Sequence, residues 1–130
     1  MSKSGPSLRK FECGVAGIQH IINGKYKLRI LWDLQDGPRR YGEIRKGLSG
    51  TMGPKDITPR VLSRELKALT EMGLLLRTEH KVVPPKVEYA LSAEAKTFIP
   101  VIAVMHKWGL EHLVRRSILR KMGITPPSDT

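Results

Sequence analysis

Three basic side chains on one predicted helix, Arg60, Arg64 and Lys67, have the chemistry to contact nucleic acid. On a wheel of about 100° per residue they share one face with Glu71, opposite a stripe of leucines. An arginine guanidinium can pair with O6 and N7 of guanine, whereas a lysine ammonium is better suited to a phosphate. The pattern favours a helix presented to the major groove, with its N-terminal half nearest the bases.

The start of this helix is marked by its own residues. Thr58 can cap it, and Pro59 suits the first helical position because its nitrogen carries no hydrogen. The helix is predicted at about 58–72 and should end at Gly73. Thr58 and Ser63 are further candidates for contacts with bases or phosphates. The competing interpretation is an ordinary basic helix face that only meets solvent.

A hairpin follows, with a proline-stiffened tip between two strand candidates. Its tip offers His80, Lys81 and Lys86. The segment at about 79–87 is interpreted as a wing whose cations rest on the sugar-phosphate backbone or along the minor groove. An ordinary surface turn is the other interpretation.

A second basic cluster lies near the C-terminus, at Arg115, Arg116, Arg120 and Lys121. It could supply phosphate contacts, or it could be a set of cations that the dipole of a helix C-terminus favours. We prefer the second interpretation, because this helix is also the best candidate for a subunit interface.

The single cysteine, Cys13, has two possible roles. Arg9 and Lys10 precede it and could favour a reactive thiolate, which makes Cys13 a possible redox sensor. A free cysteine also commonly packs as a small hydrophobic residue. With no second cysteine in the chain, a disulfide could form only between subunits or with a small thiol.

Composition limits the possible classes of protein. The chain has 130 residues, 40% of them hydrophobic and 27% charged, which is typical of one soluble domain. No apolar run approaches the roughly 20 residues of a membrane span, no secretory leader is recognised, and one cysteine fits a reducing cytoplasm. An excess of 23 Lys+Arg over 12 Asp+Glu, a net charge of +11, indicates a polyanionic partner. A basic surface kept only for solubility is the plainer explanation.

No arrangement of residues predicts catalysis or a cofactor. The four histidines have no paired spacing that suggests zinc, and the glycines form neither a phosphate loop nor a dinucleotide fingerprint. A thiol-dependent activity would require an exposed Cys13. We therefore expect no enzyme, no cofactor and no metal.

The elements that must position these residues follow from apolar periodicity and turn residues. Besides the helix at 58–72, helices are predicted at 15–22, about 25–34 and 41–48, strands at 74–78 and 86–91, and a long helix after the capping residue Ser92. Pro100 should kink that last helix rather than end it. The fold class is mainly α (α+β), a winged helix-turn-helix with a two-stranded hairpin wing. A domain at 13–122 is expected between flexible tails at 1–12 and 123–130.

The chain resembles the HxlR-type winged-helix transcriptional regulators over about Cys13 to Gly109. Most specific is 84–92, Pro-Pro-Lys-Val-Glu-Tyr-Ala-Leu-Ser, which is similar to the family's Pro-Pro-x-Val-Glu-Tyr-x-Leu-Thr. Further segments match in the same order, at 13–15, 24–26, 30–34, 40–44, 57–63, 73–74, 100 and 108–109. The resemblance implies dimeric regulators that bind duplex DNA and associate through their N- and C-terminal helices, and in some members an N-terminal cysteine that senses oxidants or electrophiles.

This sequence departs from the family pattern at several positions. Gly14 replaces a proline, Gly42 replaces a usual polar residue, and Glu65 stands where a basic residue is common. Relative to the family pattern, residues 51–56 look like an insertion between the two helices of the helix-turn-helix. We expect a homodimer that binds double-stranded DNA sequence-specifically. The competing expectation is an architectural or RNA-binding module without sequence preference.

Overall fold

Residues 12–50 and 55–125 are described by the computed structural model of the chain. They form, in order, α1 (Gly14–Ile22), α2 (Lys27–Asp33), β1 (Arg39–Arg40), α3 (Tyr41–Leu48), α4 (Pro59–Glu71), β2 (Leu75–His80), β3 (Lys86–Leu91), α5 (Ala93–Gly109), a π-helical turn (Leu110–Val114) and α6 (Arg115–Lys121). The helix-turn-helix and its following hairpin are present as the sequence predicts. The predicted tail at 1–12 lies almost wholly outside the described residues, as does most of the predicted insertion at 51–56.

Helix α4 begins and ends where its residue types require. The Thr58 hydroxyl accepts a hydrogen bond from the backbone N–H of Val61, and Pro59 is the first helical residue. At the other end Gly73 adopts φ +80°, and the N–H of Leu74 returns to the carbonyl of Leu69 at 3.0 Å. The boundaries predicted from the capping residues are therefore confirmed.

The sheet has one more strand than the sequence indicates. Within the described residues it is antiparallel with the order β1-β3-β2, and the two-residue β1 pairs Arg39 with Tyr89 and Arg40 with Glu88. Two consecutive arginines carry no strand periodicity, so only the pairing with β3 creates β1. The first strand of the hairpin also runs two residues further than predicted, to His80, because it pairs with Lys86.

The chain divides into two compact units at Ile99–Pro100. In the first unit, leucine and isoleucine side chains of α2, α3, α4 and the hairpin form the core. Those almost fully removed from solvent are Ile30, Leu31, Leu34, Ile44, Leu48, Leu62, Leu66, Leu69 and Leu75. Removing this much apolar surface from water is the main favourable term in folding such a domain.

The second unit is helical. Helix α5 continues through Pro100, as predicted, and α6 follows after the π-helical turn, which no sequence signal indicated. The end of α6 is capped by Gly123 at φ +76°, with the N–H of Ile124 returning to the carbonyl of Leu119 at 2.9 Å. Most of the predicted tail at 123–130 lies outside the described residues.

Candidate nucleic-acid interface

The outer face of α4 is basic and open to solvent. Arg60, Arg64 and Lys67 are all exposed, as is Ser63 beside them. On the opposite side Leu62, Leu66 and Leu69 are fully buried. The leucines hold the helix on the domain, so its cations are free to meet a partner.

Two contacts that sequence reasoning missed hold the N-terminus of α4. The Tyr41 hydroxyl of α3 donates to the carbonyl of Pro59 at 3.1 Å. The Arg45 Nε, also from α3, donates to the carbonyl of Ile57 at 3.3 Å. These two hydrogen bonds therefore join α3 and α4, the two helices of the helix-turn-helix, next to Arg60. The tie lies across 12 to 18 residues of sequence, so only the fold makes it visible.

A cleft of about 410 Å³ runs between the second half of α4 and the sheet. It is lined by Lys67, Thr70 and Glu71 of α4, Arg77 of β2 and Tyr89 of β3. Arg77 adds an exposed cation beside Lys67 that the sequence analysis did not select. Because Arg77 and Tyr89 are direct partners across the sheet, their side chains lie on the same face.

Glu65, the acidic departure within α4, does not lie on the basic face. It is buried, and its Oε1 lies 2.9 Å from Nζ of Lys27 in α2. A carboxylate turned into the domain does not repel a phosphate backbone in the way that an exposed one does. The departure therefore leaves the charge of the outer face intact.

The tip of the hairpin is an exposed loop. Lys81 is exposed, and Val83 is fully so. Lys86 is half-buried, with its Nζ 3.6 Å from Oε2 of Glu88. Of the two lysines predicted for the wing, only Lys86 has a carboxylate beside it among residues 12–50 and 55–125.

Glu88 is held between two basic groups on one face of the sheet. Its Oε1 lies 2.7 Å from Nε2 of His80, while Lys86 approaches the other oxygen. The hydrogen bond with His80 is the main cause that keeps the pKa of Glu88 below its ordinary value, and the charge of Lys86 contributes. The base of the wing is therefore braced across its two strands.

This brace predicts a pH dependence. A carboxyl whose pKa is lower in the folded chain stabilises it above the unfolded pKa, about 4.3 for glutamate, and this stabilisation is lost as pH falls through the folded pKa. The unfolding free energy of Glu88→Gln, measured in urea, should fall short of the native value most at neutral pH and least near pH 3. Glu79→Gln removes the same charge from an exposed position in β2 and serves as the control. An equal deficit at both pH values for Glu88→Gln would contradict the prediction.

Cys13 immediately precedes α1 and is exposed. The backbone N–H groups of Ala16 and, secondarily, Val15 stabilise the thiolate and lower the pKa of Cys13. Helix N-termini favour thiolates because the unpaired N–H groups there carry partial positive charge. Arg9 and Lys10, which the sequence analysis placed beside it, lie outside the described residues.

In the part of the chain that the structure describes, no group of three or more histidine, cysteine, aspartate or glutamate side chains is placed to hold a metal ion. No helix among those same residues has the length and apolar character to cross a bilayer.

The geometry defines a class of protein, the winged helix-turn-helix domains. Comparison with known proteins identifies the family within this class: the sequence model of the HxlR-like helix-turn-helix family matches residues 21–117. This chain belongs to that family. The family and the named relatives are transcriptional regulators, a class of DNA-binding proteins and not of enzymes.

Individual relatives agree with this assignment. The chain is 42% identical over 97 residues to the uncharacterized HTH-type transcriptional regulator YdeP of Bacillus subtilis, which covers 75% of this chain and 71% of YdeP. It is 37% identical over 100 residues to an uncharacterized HTH-type transcriptional regulator of Methanothermobacter thermautotrophicus, covering 77% and 72% of the two chains. Among solved structures it resembles the redox regulator HypR in its reduced form, with a TM-score of 0.70, 30% identity and coverage of 84% and 99%.

Proposed function

We propose that this protein is a cytoplasmic homodimer that binds double-stranded DNA sequence-specifically, with α4 in the major groove and the wing on the backbone or minor groove. The observation that carries the proposal is the two-sided character of α4, whose buried leucines oppose an exposed row of Arg60, Arg64 and Lys67. The ties from Tyr41 and Arg45 hold the N-terminal end of that row firmly on the domain. Recognition helices read bases with this end.

The candidate side chains divide by their chemistry. Arg60 and Arg64 can each make two hydrogen bonds to one guanine. Ser63 and Thr58 can each donate a hydroxyl hydrogen bond to a base or phosphate. Thr58 retains its hydroxyl hydrogen for this purpose, because its oxygen is the acceptor in the helix cap. Pro59 contributes by starting the helix at this point.

Phosphate contacts fall to the cations further from the helix N-terminus. Lys67 and Lys81 are exposed and suited to a phosphate, and Arg77 extends the basic surface along the cleft beside Lys67. Lys86 must share its charge between Glu88 and DNA, so we expect it to contribute less than Lys81. These contacts set salt-sensitive affinity rather than sequence preference.

The proposed dimer uses apolar surface on the N- and C-terminal helices. Helix α1 exposes Val15 and Ile18. The helical second unit independently exposes a larger apolar set: Val101, Val104, Trp108, Leu110, Leu113, Val114, Ile118, Met122 and Ile124. Apolar surface on this scale marks an interface in a soluble protein. A two-fold dimer would place its two recognition helices in successive major grooves about 34–36 Å apart, on a pseudo-palindromic site.

A competition experiment tests the proposal. A duplex selected from a random pool by the purified protein is labelled, and unlabelled random duplex, single-stranded DNA and RNA compete for it. We expect the selected duplex to contain two related half-sites and to resist competition by each of the others. Equal competition by random duplex or by RNA would instead support a module without sequence preference.

A second function, sensing of oxidants or electrophiles by Cys13, is favoured by a separate observation. The thiol is exposed and its pKa is lowered, which are the two conditions for reactivity. HypR, to which this fold is similar, is described as a redox regulator with an oxidized and a reduced form. We propose that modification of Cys13 changes the affinity of this protein for DNA.

The reactivity of Cys13 can be measured directly. The rate of its alkylation by iodoacetamide should reach half its maximum at a lower pH than the rate for an ordinary thiol, because the start of α1 favours the thiolate and lowers the pKa of Cys13. The same chain unfolded in urea is the matched control, since it keeps Cys13 and loses the helix. Identical profiles for the folded and unfolded chains would contradict the prediction. Unchanged DNA affinity after complete alkylation would remove the sensing role.

A further inference from the structure

Glu65 and Lys27 form an ion pair that lies mostly out of solvent. Nζ of Lys27 is 2.9 Å from Oε1 of Glu65, and the two side chains are 13% and 8% exposed. The pair joins the start of α2 to the middle of α4, and its two residues are 38 apart in the sequence. It is thus a tertiary contact of the helix that carries the candidate DNA-reading residues.

The connection between α1 and α2 closes around the same pair. Lys27 Nζ also donates to the carbonyl of Asn23, the C-cap residue that follows α1, at 3.3 Å. Gly24 adopts φ +95°, and a Cβ added there would lie 3.3 Å from Oε2 of Glu65. The glycine therefore permits a turn and a close approach that other residues would crowd.

A buried ion pair contributes little net stability, but it constrains the relative position of the two elements that it joins. Removing two charges from water costs much of what their attraction returns, so apolar side chains of similar volume stabilise a core at least as well. An ion pair, by contrast, fixes distance and direction. Glu65 is the residue after Arg64, so a rotation of α4 that broke the pair would also turn Arg64.

We propose that Lys27 and Glu65 are positioning residues, which hold α4 at one rotation against the α1–α2 connection and so aim Arg60 and Arg64 at the DNA. The proposal rests on the proposed DNA-binding function. Under this proposal, neither Lys27 nor Glu65 contacts DNA. Their effect on binding passes through the orientation of α4 alone.

The test compares Lys27→Met and Glu65→Gln with the control Lys25→Met. The control removes a cation from the same connection, at an exposed residue outside the pair. Affinity for the selected duplex is measured over a range of salt concentrations, and discrimination is measured against duplexes changed by one base pair. We expect both pair variants to bind about tenfold more weakly and to discriminate less. Residues in contact are energetically coupled, and loss of this pair removes one of the contacts that set the rotation of α4. The control should bind within twofold of the native chain.

The salt dependence separates positioning from direct contact. Loss of one phosphate contact lowers the slope of log affinity against log salt by about 0.9, whereas a positioning residue leaves it unchanged. If the slope falls further for Lys27→Met than for the control Lys25→Met, Lys27 contacts phosphate directly and the proposal is wrong. A lower urea midpoint accompanied by native affinity and native discrimination would also overturn it, because that result describes a purely structural pair.

Two further variants keep the test decisive if a single substitution prevents folding. Lys27→Met combined with Glu65→Gln leaves no buried charge unpaired and should fold, yet still show the loss of discrimination. Glu65→Asp retains the charge but withdraws the carboxylate, and should lie between the native chain and Glu65→Gln. Native discrimination in the double variant would overturn the inference. A native chain without preference for duplex would instead defeat the proposed function itself.

Discussion

Replacing Arg60 by alanine is expected to weaken binding to the selected duplex by about 1–3 kcal/mol and to relax the preference at one base pair. Arg60 is exposed in the first turn of α4, beside the carbonyl of Pro59 that Tyr41 holds in place. A guanidinium at that position can make two hydrogen bonds to one guanine, and alanine leaves the base unread. The measurement is the affinity for duplexes that carry each of the four base pairs at every position of a half-site.

Lys67→Ala provides the contrast. A lysine that contacts phosphate should lose affinity by a similar factor on every duplex, and should lower the salt slope by about 0.9. Lys96→Ala, an exposed cation on α5, is the control for a loss of net charge and should leave both quantities unchanged. A uniform loss for Arg60→Ala would make Arg60 a phosphate contact. No loss at all would remove α4 from the interface.

The elements most accurately predicted are those whose boundaries rest on local chemistry. Helix α3 runs from Tyr41 to Leu48 as predicted, and α4 lies between its Thr-Pro start and Gly73. In α4 the leucine period also predicted which side is buried. Capping and periodicity act within a few residues, so the sequence shows them directly.

Features that depend on contacts between distant segments were not predicted. Strand β1 exists only because Arg39 and Arg40 meet β3, and Glu65 is buried only because Lys27 arrives from another helix. Wheel geometry places Glu65 off the outer face but does not identify its partner. The ties from Tyr41 and Arg45 to the start of α4 were missed for the same reason.

The candidate interface shows the same division. The α4 residues lie where the wheel placed them, because one helix determines their directions. In the wing, Lys81 and Lys86 look equivalent in sequence, yet within the described hairpin only Lys86 has Glu88 as a neighbour, two residues further along the same strand. The contact of Glu88 with His80, by contrast, joins two strands and depends on their register, which the sequence does not specify to the residue.

Dimer formation carries the second large prediction. Val104 of α5 is 69% exposed and lies on the side of that helix that also exposes Val101 and Trp108. An aspartate at this position would place an unpaired carboxylate in the proposed apolar dimer interface, which costs far more than dimerisation can return. Val104→Asp should therefore be a monomer in sedimentation experiments at concentrations where the native chain is a dimer.

The loss of DNA affinity should exceed the loss caused by any single contact. In a dimer, binding of the first recognition helix raises the effective concentration of the second, and a monomer loses that advantage, a factor of about 100 or more. Ala103→Asp adds the same charge to the neighbouring exposed residue, which lies about 100° around α5 from Val104, and should leave both assembly and affinity near native. If Val104→Asp stays dimeric, the C-terminal apolar surface is not the interface. If it becomes monomeric but binds the two-half-site duplex as tightly as the native chain, each subunit must read its DNA alone, and the proposed pairing of half-sites is wrong.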